Sequence, residues 1–534
     1  MTTGITHRMD LPLPNTNEAV IHRLVDDVLA YIFFLNATLP DADHREHAAT
    51  VASSQVCKRW RSIALHSHRI WGPIIDYSRH SLKWIEILLD RSHPSPLDFG
   101  SQTKTVNLGG DKFQNVLELV FNHIDKLRTF NLQVPVSGWE LVCSRFLHLP
   151  APNLEFVNVI IASNTRQLTH PLFDHHAPNL QNLQLRRCTV DFTSPILRSL
   201  TELYVRDITE ASAVPTVLDW LNILGGMPSL QWVTLMHAIS SATTNDIIYP
   251  NIHLNALDML TLDGALHDCV TLVEHLISPP DCSLRLCCDG AHVGFEQRTL
   301  WAIIEKKMTS WVKNVPNRRL EAHCTQDEVM VRNLPYYGIW GIEADAGPYR
   351  WHVQVLDPIM TITLRLSNPQ DTVPLFFSLF ALFEWTFFDT VYLKLSVDYE
   401  PDDGPEVFLP LVDSFRGFVK LEVMCLGFCS SSVSKFLYTL LQHSLPNSSS
   451  VLLPALQFLL LYNADFRPPS SSLLRLTDFL RWRGEQGFPV RKIDIFESWI
   501  DREYILNHIG IQDTVIEFGS CNDSDASESE GELW

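Results

Sequence analysis

Apolar positions along this chain return in one spacing: apolar, two residues, apolar, one residue, apolar. It occurs at Leu127/Phe130/Leu132, Leu154/Val157/Val159, Leu180/Leu183/Leu185, Leu200/Leu203/Val205, Leu230/Val233/Leu235 and Leu257/Leu260/Leu262, with successive copies 27, 26, 20, 30 and 27 residues apart. The last two positions of each copy alternate as a strand with one buried face does. Between copies the spacing becomes helical. Examples are Phe113, Val116, Leu117, Val120 and Ile124 after Asp111, and Leu218, Leu221 and Leu224 between Pro215 and Gly225-Gly226. Proline near a helix start and glycine past its end is the asymmetry helices prefer. Strand and helix in alternation predict an α/β fold with parallel strands backed by helices.

Longer-spaced copies follow at Ile359/Ile362/Leu364, Phe388/Val391/Leu393, Leu421/Met424/Leu426, Leu456/Leu459/Leu461 and Val490/Ile493/Ile495. A strand in every unit of 20 to 29 residues is the mark of leucine-rich repeats, and the stretch from about residue 101 to 518 resembles the irregular members of that class. The resemblance implies a solenoid. The period breaks near residues 279–350, where Gln297 to Lys313 reads as a helix and Asn333 to Tyr349 as a loop.

Ahead of the repeats, residues 21–75 form a helical module, with 76–100 as a linker helix and loop. Leu24, Val28, Ile32 and Leu35 recur at helical spacing, and Asp26 and Asp27 sit in the first turn, where carboxylates favour the positive end of the helix dipole. Ala52, Val56, Trp60 and Ile63 make a second apolar stripe, with Lys58, Arg59 and Arg61 pointing elsewhere. Helices this short cannot hide all of that surface on each other, so a partner is expected. The order of residue types, Leu24-Val25-Asp26-Asp27-Val28-Leu29 and then Val56-Cys57-Lys58-Arg59-Trp60 with Trp71, resembles the F-box family. Val25 stands where that family usually has Pro. The resemblance implies a three-helix module docking on a Skp-type adaptor that joins a cullin and RING ubiquitin ligase. Leu24, Val28, Leu29, Ile32, Phe33, Val56 and Trp60 would supply the docking surface, and the repeats would hold a target protein.

Charge narrows the choice of partner. With 61 acidic and 41 basic residues the net charge is −20, which argues against nucleic acid as the main ligand. Arg186, Arg187 and Arg206 are the expected target contacts, favouring an acidic target. The apolar run Val373 to Phe383 meets Glu384 after eleven residues, short of a membrane span, so a buried helix and no membrane role are expected. Eleven irregularly spaced cysteines and no apolar leader in Met1 to Val20 point to a reduced, intracellular setting, cytoplasmic or nuclear. Residues 1–20 and the acidic tail 519–534 are expected to be disordered, with Ser527 and Ser529 as possible phosphate acceptors.

No catalytic constellation stands out. The densest reactive group, Cys282, Cys287, Cys288, Asp289 and His292, lacks the separation two thiolates need to wrap one zinc, so neither metal nor cofactor is expected. Phosphate-cradling and nucleophile-elbow motifs are absent. The expectation is a non-enzymatic substrate receptor; a scaffold of leucine-rich repeats that recruits no ligase is the alternative.

Overall fold

The computed structural model describes residues 24–38, 45–291, 318–335 and 360–519, apart from short loop segments within those ranges. The expectations for residues 1–20, for Gln297 to Lys313, for most of Asn333 to Tyr349 and for the acidic tail fall outside them. The chain divides into two compact units between Leu183 and Gln184.

The first unit opens with three helices, α1 (Asp26–Thr38), α2 (Arg45–Ser53) and α3 (Lys58–His66). Cys57 begins α3 by accepting the Trp60 amide on its sulfur, so Val56 lies ahead of that helix rather than in it. The second predicted stripe therefore spans two helices and the turn between them. Trp71 is sealed in the module, donating its indole N–H to the Ala64 carbonyl at 2.9 Å, and Arg91 lies over its ring.

The expected linker is part of the packed unit. It holds α4 (Leu82–Ser92), capped by Ser81, and strand β1 (Leu97–Phe99), which pairs in parallel with β3 (Leu127–Val134). β2 (Val106–Asn107) and β4 (Phe156–Ile161) also run parallel to β3. Helix α5 (Gly110–Phe121) falls between strands, as the spacing predicted, and α6 (Trp139–Arg145), which the spacing had not singled out, follows β3. Successive strand-entry loops are joined through asparagine: Asn153 donates to the Asp125 carbonyl, and Asn179, 26 residues on, to that of Pro152. Strand β5 (Asn182–Arg186) contains the division between units.

The second unit is a mostly parallel sheet with helices between its strands. β6 (Glu202–Arg206), β7 (Trp232–Met236), β8 (Met259–Ala265) and β9 (Ser283–Ala291) pair in order, with Leu203, Val233, Leu260 and Leu284 in one row. The chain then makes an antiparallel hairpin, β10 (Arg318–Cys324) and β11 (Glu328–Pro335), and β12 (Met360–Leu366). β12 pairs in parallel with β9 and antiparallel with β11. From β10 the parallel order resumes through β13 (Thr390–Val397), β14 (Val423–Phe428), β15 (Phe458–Tyr462), β16 (Lys492–Phe496) and β17 (Val515–Gly519). Among the described residues the break in period holds a hairpin inserted into the sheet, preceded by a parallel strand, β9, that the spacing had not flagged.

Helix α7 (Val217–Gly225) starts with a capping box in which Thr216 and Asp219 bond each other's backbone amides. α8 (Leu266–His275) follows β8. The apolar run becomes α9 (Thr372–Ala381), with Val373, Leu375, Phe376, Leu379 and Phe380 buried. Then come α10 (Leu409–Ser414), α11 (Ser430–His443), α12 (Ser471–Glu485) and α13 (Arg502–His508). Among the described residues no helix is long and apolar enough to cross a membrane.

Candidate functional site

Helix α1 is apolar on two faces. Leu29, Phe33 and Ala37, spaced by four, are buried, and the Phe33 ring meets that of Trp60 at 5.2 Å on α3. Val28, Tyr31 and Leu35 turn the other way and remain 42%, 60% and 39% exposed, with Val25 at 63% ahead of the helix and Val56 at 60%. Arg59 fixes α3 to the start of α1: its Nε and Nη2 reach Asp26 Oδ1 at 2.9 and 2.7 Å, and Nη2 also donates to the Leu24 carbonyl. Asp26 is thus an ion-pair partner as well as a first-turn charge.

The seven residues expected to dock separate into two groups. Leu24, Val28, Ile32, Val56 and Trp60 retain solvent exposure, fully or in part, whereas Leu29 and Phe33 are the module's own core and cannot reach a partner. The correction follows from helical spacing, because a residue next to Val28 lies about 100° round the helix. Val25, Tyr31 and Leu35 complete the outward face. Leu35 belonged to the predicted stripe, and Tyr31 shows no sequence signal beyond its i+3 spacing from Val28.

The arginines of the second unit are also differently employed. Arg186 Nε lies 3.1 Å and Arg206 Nε 3.4 Å from Asp207 Oδ2. Asp207 Oδ1 faces His237 Nδ1 at 3.7 Å, and His237 Nε2 lies 3.5 Å from Asp263 and 3.9 Å from Asp289. Arg365 closes the group, 3.0 Å from Asp263 and 3.1 Å from Asp289. These groups stand at or just past the carboxyl ends of β5, β6, β7, β8, β9 and β12. Arg187, Asp207 and His237 take left-handed φ values of 57°, 57° and 48° there, and each donates its amide to the end of the next strand. Arg186, Arg206 and Arg365 thus meet Asp207, Asp263 and Asp289, three cations against three carboxylates, which weakens the expectation that Arg186 and Arg206 grip a target.

His237, Asp263 and Asp289 bring ligand atoms within 4.8 Å of one another. Arg365 already supplies the cation that Asp263 and Asp289 require, so the ladder is a satisfied charge network. Of the cysteine group, His292 lies outside the described residues. Cys287 and Cys288 are neighbours on a strand and project to opposite faces. Burial, reinforced by Asp263, pushes the Cys287 thiol up to about 12; Cys288 is raised by its hydrogen bond with Cys269 and then by burial. Thiols held protonated make poor nucleophiles and poor metal ligands. No disulfide joins the described cysteines.

Compared with known proteins, the chain matches no protein-family model, and no curated protein matches its sequence.

Proposed function

We propose that this protein is the substrate-receptor subunit of a Skp–cullin–F-box type ubiquitin ligase. In this reading the helical module docks on a Skp-type adaptor and the repeat strands hold a target protein. The observation that supports it is the outer face of α1. Besides the apolar stripe it buries, α1 sets Val28, Tyr31 and Leu35 in water on its outer face, with Val25 one turn before them. Such a contiguous patch marks an interaction surface. Ubiquitin transfer itself would occur on the partner enzymes, and this chain would contribute proximity between target and conjugating enzyme.

Co-purification of the full chain with a Skp-type adaptor and cullin from cells tests the reading. Recovery of both in stoichiometric amount supports it. Failure of the purified adaptor to bind the purified, folded chain removes its basis.

A further inference from the structure

The sheet of the second unit has a face opposite its leucine rows, and between β10 and β17 that face is chemically polarised. At one end Arg319, Arg332 and Lys394 surround Glu321. Registered pairing sets Arg332 and Lys394 beside Glu321 on the two flanking strands, and both arginines contact its carboxylate. Glu321 is sunk to 4% side-chain exposure while Arg332 keeps 38%, and Lys394 is exposed. The acid lies beneath and the bases above. Burial would raise the Glu321 carboxyl, but the three cations outweigh it and hold it below its ordinary value. Among the described residues here, three cations face one carboxylate, which leaves two positive charges in excess on a chain of net charge −20.

The middle of the face is apolar. Val423, Cys425 and Leu460 are buried beneath the half-buried rings of Tyr392, Phe458, Tyr462 and Phe496. Arg319 stacks over Tyr392 at 4.6 Å, joining the basic end to this patch, and Tyr462 stacks on Phe496 at 4.9 Å. At the far end the sign reverses: Lys492 lies between Asp494 and Glu517 at 3.2 and 2.9 Å. A partner that places negative charge at the Glu321 end is therefore favoured in only one orientation.

We propose that this face is the docking site for the target, taken as an extended polypeptide segment. An acidic side chain would meet Arg319, Arg332 and Lys394, and an apolar or aromatic side chain would lie over Phe458, Tyr462 and Phe496. The spacing follows from the sheet. β10 and β15 are three strand steps apart, about 14 Å, which an extended chain covers in about four residues. The inference rests on the reading that the repeats hold a target, and it moves the contact from Arg186 and Arg206, which belong to a charge-balanced ladder, to a cluster with charge in excess.

The test is selection of short random peptides displayed on phage against the full-length chain, then fluorescence anisotropy of the fluorescein-labelled consensus peptide. The expected consensus sets Asp or Glu about three to five residues from Phe, Tyr, Trp, Leu or Ile. Arg332→Glu with Lys394→Glu should weaken binding at least about tenfold. Arg332→Lys should retain it, and Arg186→Glu should leave it unchanged. Where the charge reversal lowers thermal stability, Arg332→Gln with Lys394→Gln gives the same reading with Arg319 still on Glu321. The assignment is overturned by failure to enrich a consensus, by a consensus without acidic residues, or by affinities indifferent to these substitutions. Binding that appears only after deletion of residues 520–534 would make this chain's own acidic segment the occupant and would equally overturn it. All of these measurements omit the adaptor, so their failure is distinguishable from failure of docking through α1.

Discussion

Replacing Val28 and Val56 together by glutamate probes adaptor docking without disturbing the module. The two side chains are 42% and 60% exposed, so together about one whole valine side chain remains to be covered. Burying a valine is worth about 1.5–3 kcal/mol, which corresponds to roughly 10- to 150-fold in Kd. Trapping two carboxylates in an apolar contact adds to that loss. Folding should be nearly unaffected, because substitutions at exposed positions usually stay within about 0.5 kcal/mol. Isothermal titration of the purified chain with a Skp-type adaptor should therefore show binding weakened at least about tenfold, with an unchanged thermal transition. Leu29→Ala is the converse control: this side chain is fully buried, so about 2–5 kcal/mol of stability should go while the remaining folded molecules bind as before. An unchanged Kd in the Val28→Glu, Val56→Glu variant would refute the assignment of this face.

Further outcomes follow from the buried polar groups. Arg483 is fully buried and donates to the carbonyls of Leu452, Leu453 and Leu456 at 3.0, 3.1 and 3.3 Å; Arg483→Met should cost about 3 kcal/mol or more in urea unfolding, and a loss below about 1 kcal/mol would contradict that role. Arg365→Gln leaves the buried Asp263 without its counter-charge and should destabilise by about 3 kcal/mol; a neutral effect would mean that the strand-edge ladder is held by backbone alone. Glu321 gives a pH signature. Its carboxyl is depressed in the folded state, so its contribution is complete above the unfolded value of about 4.3 and is lost as pH falls through the lower folded value. Arg332→Gln reduces the depression and should move the acid-unfolding midpoint upward; a midpoint that stays in place would contradict the assigned pairing.

Strand positions were legible because they need only local information. Each Leu-x-x-Leu-x-Leu copy, from Leu127 to Ile495, became a strand, since a period of two with one apolar face has few other solutions. β9 escaped because it lies in the stretch where the period was read as broken; the pairing of Leu284 with both Leu260 and Met360 places it in the sheet. On α1 the sequence showed one apolar stripe, Leu24, Val28, Ile32 and Leu35, but not that the face carrying Leu29, Phe33 and Ala37 is the one that turns inward. That choice depends on where α3 sets Trp60, and it buries Leu29 and Phe33 while leaving Val28 and Tyr31 in water.

The chain by itself thus determined the strands that carry the recurring spacing and that its first helices hold more apolar surface than they can hide from water. Only the tertiary structure decided which charges neutralise one another. Arg365 meets Asp263 across 102 residues of sequence, and Arg332 and Lys394 flank Glu321 through the register of three strands. Composition reports such residues as solvated charge, because Coulomb energy depends on distances and burial that hydrogen-bonded register sets and that sequence spacing does not encode.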